Sequence, residues 1–260
     1  MRPAMTLEDA AEGILHVGRR MYQRGFVAAN DGNISVRLAA DRLLVTPTGV
    51  SKGFMTKTDL VVTDGKGAKL SGRREVTSEI RMHTRAYELR ADIGAVVHAH
   101  PPYATAFAVA GIPLAECVLP EVVLTIGSVP LAEYGTPSTD EVAESVARVV
   151  IGSDAFLLRN HGVMCVGPDV LTAYHRVETV EHLAEISFIA RHLGRLSPLA
   201  HEQVMKLLAV RERLGVKGPY PGCSECGACA PAEESDRAEI VKVIAEEVVR
   251  ILREGKHAME

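Results

Sequence analysis

The chain has 260 residues, a formal net charge of −4 at pH 7, 47% hydrophobic residues and 24% charged residues. A chain of this length can bury a substantial core in one large domain or two small ones. The negative net charge gives no global basic field, which argues against a nucleic-acid partner. There is no apolar run of about 18 residues, so we expect no membrane span. The N-terminal segment lacks the apolar stretch of a signal peptide, and we expect a cytoplasmic protein.

The N-terminal half begins with a helix and continues with short hairpins. Thr6 can cap a helix that ends near Gly25, because Asp9 follows three residues later and apolar residues recur at helical spacing. Two strand pairs follow, in NISVRL with DRLLV and in LVVTDGKGAKL. A helix is expected from about Thr77 to Arg90. The next strand ends in HAH, because the following proline pair cannot continue a hydrogen-bonded ladder.

The C-terminal half is richer in helices. We expect a short helix near residues 104–110, then an extended stretch, VVLTIGSVPLAEYGTP, and a helix that begins at Ser138 or Thr139. AFLLRNHGVMCVG reads as a hairpin that turns at Asn160-His161-Gly162. Pro168 opens a long helix to about Leu193, and another runs over residues 197–214. Since hairpins precede helices, we expect an α/β fold with a mixed, mostly antiparallel sheet covered by helices.

Composition changes sharply at Gly215, which divides the chain into residues 1–215 and residues 216–260. The second part holds a Gly/Pro/Cys-rich loop and then an amphipathic helix. The loop carries three cysteines at CxxCxxC spacing: Cys223, Cys226 and Cys229. This spacing can bind a second metal ion, but such sites usually need a fourth thiolate and no cysteine follows. The alternative is a reduced loop over the mouth of a pocket.

Two histidines stand one residue apart at the end of the expected strand. Side chains alternate along a strand, so His98 and His100 share a face, with Cα atoms roughly 7 Å apart. Taken alone, such a pair is more often structural than metal-binding. His161, at a strand end, and Glu79, near a helix start, complete a set of three imidazoles and one carboxylate, which suits zinc. His83 follows Glu79 by four residues, so it can share a helix face with Glu79 and help to orient this ligand without binding the metal itself.

Five segments resemble, in order and spacing, those of the class II aldolase/adducin family: DGNISVR, VTPTGVSKG, VTSEIRMH, AVVHAHPPYATAFA and LLRNHGVMCVG. The resemblance spans about Leu7 to Gly194. It implies a three-layer α/β/α sandwich and a homotetramer with active sites between subunits. It also implies zinc as the metal, with manganese and cobalt as alternatives.

The resemblance assigns roles to individual residues. It places the metal ligands at Glu79, His98, His100 and His161, with Glu79 also the catalytic base. The implied phosphate-binding residues lie at glycine turns and a helix start: Gly32, Asn33, Thr48, Gly49, Thr77 and Ser78. Backbone N–H groups, hydroxyls and an amide can hold a phosphate there without a fixed cation.

The implied reaction is the reversible cleavage of a ketose 1-phosphate into dihydroxyacetone phosphate and an aldehyde through an enediolate. Three alternatives stay open: a ribulose-phosphate 4-epimerase, a decarboxylase or dehydratase of phosphorylated sugar acids, and a non-catalytic interaction module. The family's tyrosine on the aldehyde side, which reaches in from the adjacent subunit, has Leu119 near its place here. Tyr220 is only a weak candidate for a second, C-terminal tyrosine that closes the family's pocket. The aldehyde is therefore not defined by the sequence.

Overall fold

The computed structural model of the chain describes residues 5–222. Within this range the strands are β1 (Asn33–Ala39), β2 (Arg42–Val45), β3 (Val61–Asp64), β4 (Lys69–Ser71), β5 (Ala95–Ala99), β6 (Leu131–Ala132), β7 (Ala155–Leu158) and β8 (Gly162–Gly167). The helices are α1 (Leu7–Gln23), α2 (Ile80–Leu89), α3 (Pro102–Ala110), α4 (Pro120–Thr125), α5 (Asp140–Val150), α6 (Val170–His192) and α7 (His201–Arg213). A 3-10 turn covers Lys57–Asp59.

The strands form one sheet in the order β4-β3-β2-β1-β5-β8-β7-β6. Every neighbouring pair is antiparallel except β6 and β7, which are parallel. The hairpins expected from the sequence are present as β1/β2, β3/β4 and β7/β8. The mixed, mostly antiparallel sheet is therefore confirmed, and its centre brings β5 beside β8.

Helices cover both faces of the sheet, which confirms the three-layer sandwich. Successive side chains of β5 point to opposite faces of the sheet, and those of Val97 and Ala99 pack in the core shared with α1, α3 and α6. Val96 faces the second core, which contains side chains of α2 and α5. His98 lies two residues after Val96 and therefore on the same face of the sheet, so its side chain points to the α2 side at the end of the strand.

The helix starts follow their capping residues. The Thr6 hydroxyl accepts a hydrogen bond from the Asp9 N–H at 3.1 Å, and the Thr139 hydroxyl accepts one from the Glu141 N–H at 3.2 Å. Both sequence predictions are confirmed. The long helix begins slightly later than expected, because Asp169 rather than Pro168 caps α6 through the Thr172 N–H.

One element was predicted wrongly. The stretch from Val122 onward was expected to be extended, but Pro120–Thr125 forms α4. Pro120 occupies the first turn, where its fixed backbone angle favours a helix and its missing N–H costs nothing. Val122 and Val123 bury their side chains, and α4 packs on α7. Tertiary burial here outweighs the strand preference of the valines.

The last described residues return to the body of the fold. The Ser128 N–H donates to the Pro221 carbonyl oxygen at 3.1 Å, and Tyr220 lies against Arg211. The division at residue 215 stays a prediction. Cys223, Cys226, Cys229 and the expected C-terminal helix lie outside the described residues. Within residues 5–222, no helix is both long and apolar enough to cross a membrane.

Candidate active site

Three imidazoles meet at the end of the central strands. His98 is on β5, His100 lies just beyond it, and His161 is in the β7–β8 turn, where Asn160 adopts a positive φ of 56°. The ring centroids are 4.7–5.0 Å apart. One ring nitrogen from each histidine lies within 4.8 Å of the other two. The structure thus brings together all three histidines selected from the sequence.

Their hydrogen bonds define which nitrogens face each other. Nδ1 of His98 is 2.9 Å from the Val163 carbonyl oxygen, which can only accept, so Nδ1 carries the proton. The lone pair on His98 Nε2 therefore points towards His100 Nε2, 2.9 Å away. Nδ1 of His161 is buried and has no hydrogen-bond partner among the described residues.

This donor set fits a divalent metal ion. Burial lowers the pKa of His98 well below its usual value and also lowers the pKa of His100, because desolvation disfavours the imidazolium. Both rings are therefore neutral at pH 7, which is the form that binds metal. A cation between the converging nitrogens would satisfy the His98 lone pair. Imidazole and carboxylate ligands suit zinc.

Glu79 completes the cluster, although its backbone position differs slightly from the prediction. It is the residue before α2 rather than part of the first turn, and its side chain makes no capping hydrogen bond. The carboxylate instead faces the histidines, with Oε1 3.0 Å from His161 Nε2 and Oε2 3.6 Å from His98 Nε2. Its placement beside the rings depends on this non-helical backbone.

The surroundings keep Glu79 ionised. Burial raises the pKa of its carboxyl, but contact with His161 and a 2.6 Å hydrogen bond from the Asn33 amide stabilise the carboxylate and hold the pKa below its usual range. The group is therefore a charged acceptor at neutral pH.

A hydrogen-bonded chain behind Glu79 fixes its orientation. Asn33 donates to Glu79 and accepts from Nε2 of His83, so Nδ1 of His83 accepts from the Ser35 hydroxyl at 2.7 Å. Burial lowers the pKa of His83 to about 4, which keeps this ring neutral. The support from His83 that the sequence indicated is present, and the Asn33 side chain is its link to Glu79.

A pocket of about 240 Å³ adjoins the cluster. Its walls include Glu79, His100 and His161 together with every residue assigned to phosphate: Gly32, Asn33, Thr48, Gly49, Thr77 and Ser78. Four further residues line it that sequence reasoning left unassigned: Asn30, Asp31, Pro47 and Lys52. The sequence places two residues near the pocket without assigning them a role, Lys52 and Glu121, and of these Lys52 lines it and Glu121 does not. Leu119 and Tyr220 are not among the lining residues of this pocket.

Gly32 is expected to be intolerant of a side chain. Its φ is +71°, and a Cβ would lie 2.8 Å from the His98 carbonyl oxygen and 2.7 Å from Val27 Cγ1. Gly25 has a similar φ of +69° but open space around its Cβ position. Gly25→Ala should therefore cost only about 1 kcal/mol for the left-handed backbone, whereas Gly32→Ala should lower the free energy of unfolding by about 3 kcal/mol. Urea denaturation measures both, and equal losses would contradict the steric explanation.

Comparison with known proteins places the chain in a family. A model of the class II aldolase and adducin N-terminal domain matches residues 12–188. An L-fuculose phosphate aldolase of Methanococcus maripaludis is 34% identical over 179 residues, covering 69% of this chain and 96% of that protein. A 3-oxo-tetronate 4-phosphate decarboxylase of Haemophilus influenzae is 34% identical over 181 residues, covering 68% of this chain and 86% of the relative.

Solved structures agree with this assignment. An L-fuculose 1-phosphate aldolase structure superposes with a TM-score of 0.74 at 30% identity, covering 82% of this chain and 100% of that one. The family match spans most of the chain, and its segments carry the clustered histidines and the glutamate. The chain therefore belongs to the class II aldolase and adducin family and is an aldolase-type enzyme.

Proposed function

We propose that the protein is a zinc-dependent aldolase that reversibly cleaves a ketose 1-phosphate resembling L-fuculose 1-phosphate into dihydroxyacetone phosphate and an aldehyde. The observation that carries this proposal is one pocket that holds Glu79, two of the three clustered histidines and all the residues assigned to phosphate. Relatives named as L-fuculose phosphate aldolases support the same reaction.

The metal would be held by His98, His100 and His161, with Glu79 beside them. When bound, a divalent ion supplies Lewis-acid stabilisation of the negative charge that develops on the substrate as the carbon–carbon bond breaks. Without such stabilisation, a carbanion next to a carbonyl is too costly near pH 7.

Glu79 is the residue suited to move the proton at the nucleophilic carbon. Its carboxylate is ionised, partly buried and aimed into the pocket by Asn33. A general base needs this combination of position and protonation state. Because His83 holds Asn33 in turn, the carboxylate stays oriented when the substrate enters.

The phosphate end of the substrate would occupy the opposite part of the pocket. Thr48 and Gly49 lie in the turn after β2, and Thr77 and Ser78 lie just before α2. Hydroxyls can donate hydrogen bonds to phosphate oxygens, and the start of α2 presents a favourable dipole to an anion.

A decarboxylase is the second candidate. The 3-oxo-tetronate 4-phosphate decarboxylase relative is as similar to this chain as the aldolase relative. Decarboxylation of a 3-oxo acid also leaves an enolate that a metal ion can stabilise, so the same cluster suits both reactions. The ribulose-phosphate epimerase and the sugar-acid dehydratase rank below these two, and the match to aldolase-type enzymes argues against the non-catalytic interaction module.

We also propose a cytoplasmic homotetramer with active sites between subunits. This assembly follows from the family resemblance, and no tyrosine of the described chain lines the pocket within one copy. Light scattering tests the assembly, and a stable, active monomer would contradict it.

A retro-aldol screen tests the reaction. Zinc-loaded protein is incubated with several ketose 1-phosphates, and dihydroxyacetone phosphate is detected through a coupled NADH-dependent reductase. We expect turnover with at least one deoxyketose 1-phosphate. Release of carbon dioxide from 3-oxo-tetronate 4-phosphate, with no retro-aldol turnover, would reverse the order of the two candidates.

A further inference from the structure

A lysine lies in the pocket wall where the sequence indicated no fixed cation. Lys52 follows the Thr48-Gly49 turn, and its side chain is among the largest that are fully buried, with 1% of the residue exposed. A lysine is rarely fully buried unless its charge is paired with another group.

The ammonium of Lys52 is held by neutral groups. Nζ donates to the carbonyl oxygens of Asn30 at 2.7 Å and Val50 at 2.8 Å. An ammonium has three N–H donors, so the third remains without an acceptor among the described residues. No carboxylate of the described chain forms an ion pair with it, although the charges of Asp31 and Glu79 act on it from farther away.

The charge persists at neutral pH. Burial lowers the pKa of Lys52 to about 8, while Asp31 and Glu79 oppose that shift. The side chain is therefore mostly an ammonium at pH 7. A buried cation without a close counter-charge is costly, and an anion that enters the adjacent pocket would offset that cost in a region of low dielectric.

We propose that Lys52 is the fixed positive charge of the anion-binding end of this pocket and makes it select substrates that end in a dianionic phosphate over neutral or singly charged analogues. Asn30 and Val50, whose carbonyls hold the ammonium, adjoin the two loops that carry Gly32-Asn33 and Thr48-Gly49, and Lys52 lines the same pocket as these residues. The inference deepens the proposed function and relies on it for the sugar part of the substrate.

The experiment distinguishes two roles of Lys52. Its charge could bind the anion, or its hydrogen bonds to Asn30 and Val50 could only hold the two loops together. Binding of methyl phosphate and methyl sulfate to the full-length, zinc-loaded protein is measured by calorimetry in wild type, Lys52→Gln and Lys52→Arg. Gln keeps an N–H donor for the carbonyls without the charge, and Arg keeps the charge. Lys66→Gln, in the exposed β3–β4 turn, is the matched control.

We expect Lys52→Gln to bind methyl phosphate about 10–100-fold more weakly, as for loss of a charged hydrogen bond. Lys52→Arg should retain most of the affinity, and Lys66→Gln all of it. The preference of the wild type for methyl phosphate over methyl sulfate should disappear only in Lys52→Gln. Zinc content and thermal melting report whether each variant is folded.

Unchanged methyl phosphate binding in a folded Lys52→Gln variant would overturn the proposal. If the variants do not fold, the wild type decides, because equal affinity for the two esters would also overturn it. These probes contain no sugar. A failed retro-aldol screen with intact, Lys52-dependent phosphate binding would therefore reject the proposed reaction and not the role of Lys52.

Discussion

Glu79→Gln is expected to remove retro-aldol turnover while leaving the protein folded and loaded with metal. Gln has the same shape and can still contact Asn33, but it cannot accept a proton from carbon. Loss of a general base typically lowers the rate by about 10²–10⁴-fold, so kcat should fall by at least about 100-fold. At saturating zinc the metal content should stay close to that of wild type, because His98, His100 and His161 remain, although loss of the carboxylate ligand lowers the zinc affinity. Steady-state kinetics and metal analysis on the same preparation measure both.

Glu75→Gln provides the matched control for this substitution. Glu75 lies four residues earlier on the same segment, its side chain is 78% exposed and its partner is Lys69. Exposed ion pairs contribute little to stability, so activity and melting temperature should be nearly unchanged. Near-normal kcat in Glu79→Gln would show that another group serves as the base.

The fold was largely predictable because its signals are local. Hairpins, helix caps and the alternation along β5 depend on residues close in sequence. The placement of β5 between β1 and β8 depends on long-range pairing, and no local pattern encodes it. Helix α4 was missed for the same reason. Its valines favour a strand until their burial against the rest of the chain is known.

The cluster of three histidines and Glu79 was more predictable than the remainder of the pocket. His98 and His100 share a strand face by simple geometry. Glu79 and His161 rested on weaker local signals, a helix start and a strand end with small neighbours, and the family resemblance then supported both. The sequence placed Lys52 near the pocket but assigned it no role, because its burial depends on how two separate loops meet. Sequence periodicity detects faces of helices and strands, but it does not show which loop atoms surround a side chain.

His161→Ala is expected to abolish stable metal binding and activity together. Loss of one ligand leaves two imidazoles and a carboxylate, and the turn between β7 and β8 no longer contributes to the site. Removal of a residue that hydrogen-bonds to a metal ligand typically lowers the metal affinity by about 10–100-fold. Loss of the ligand itself should lower the affinity by more than this. Competition with a chromophoric chelator measures zinc affinity, and the retro-aldol assay measures activity at several zinc concentrations.

The same substitution at His182 separates this effect from general damage. His182 lies on an exposed face of α6, outside the cluster, so His182→Ala should bind zinc and turn over substrate like wild type. High zinc should partly restore His161→Ala if the ligand acts mainly through affinity, because occupancy rises with free metal. If His161→Ala bound zinc as tightly as wild type, the ion would have to lie elsewhere, and the role of the three converging imidazoles would need another explanation.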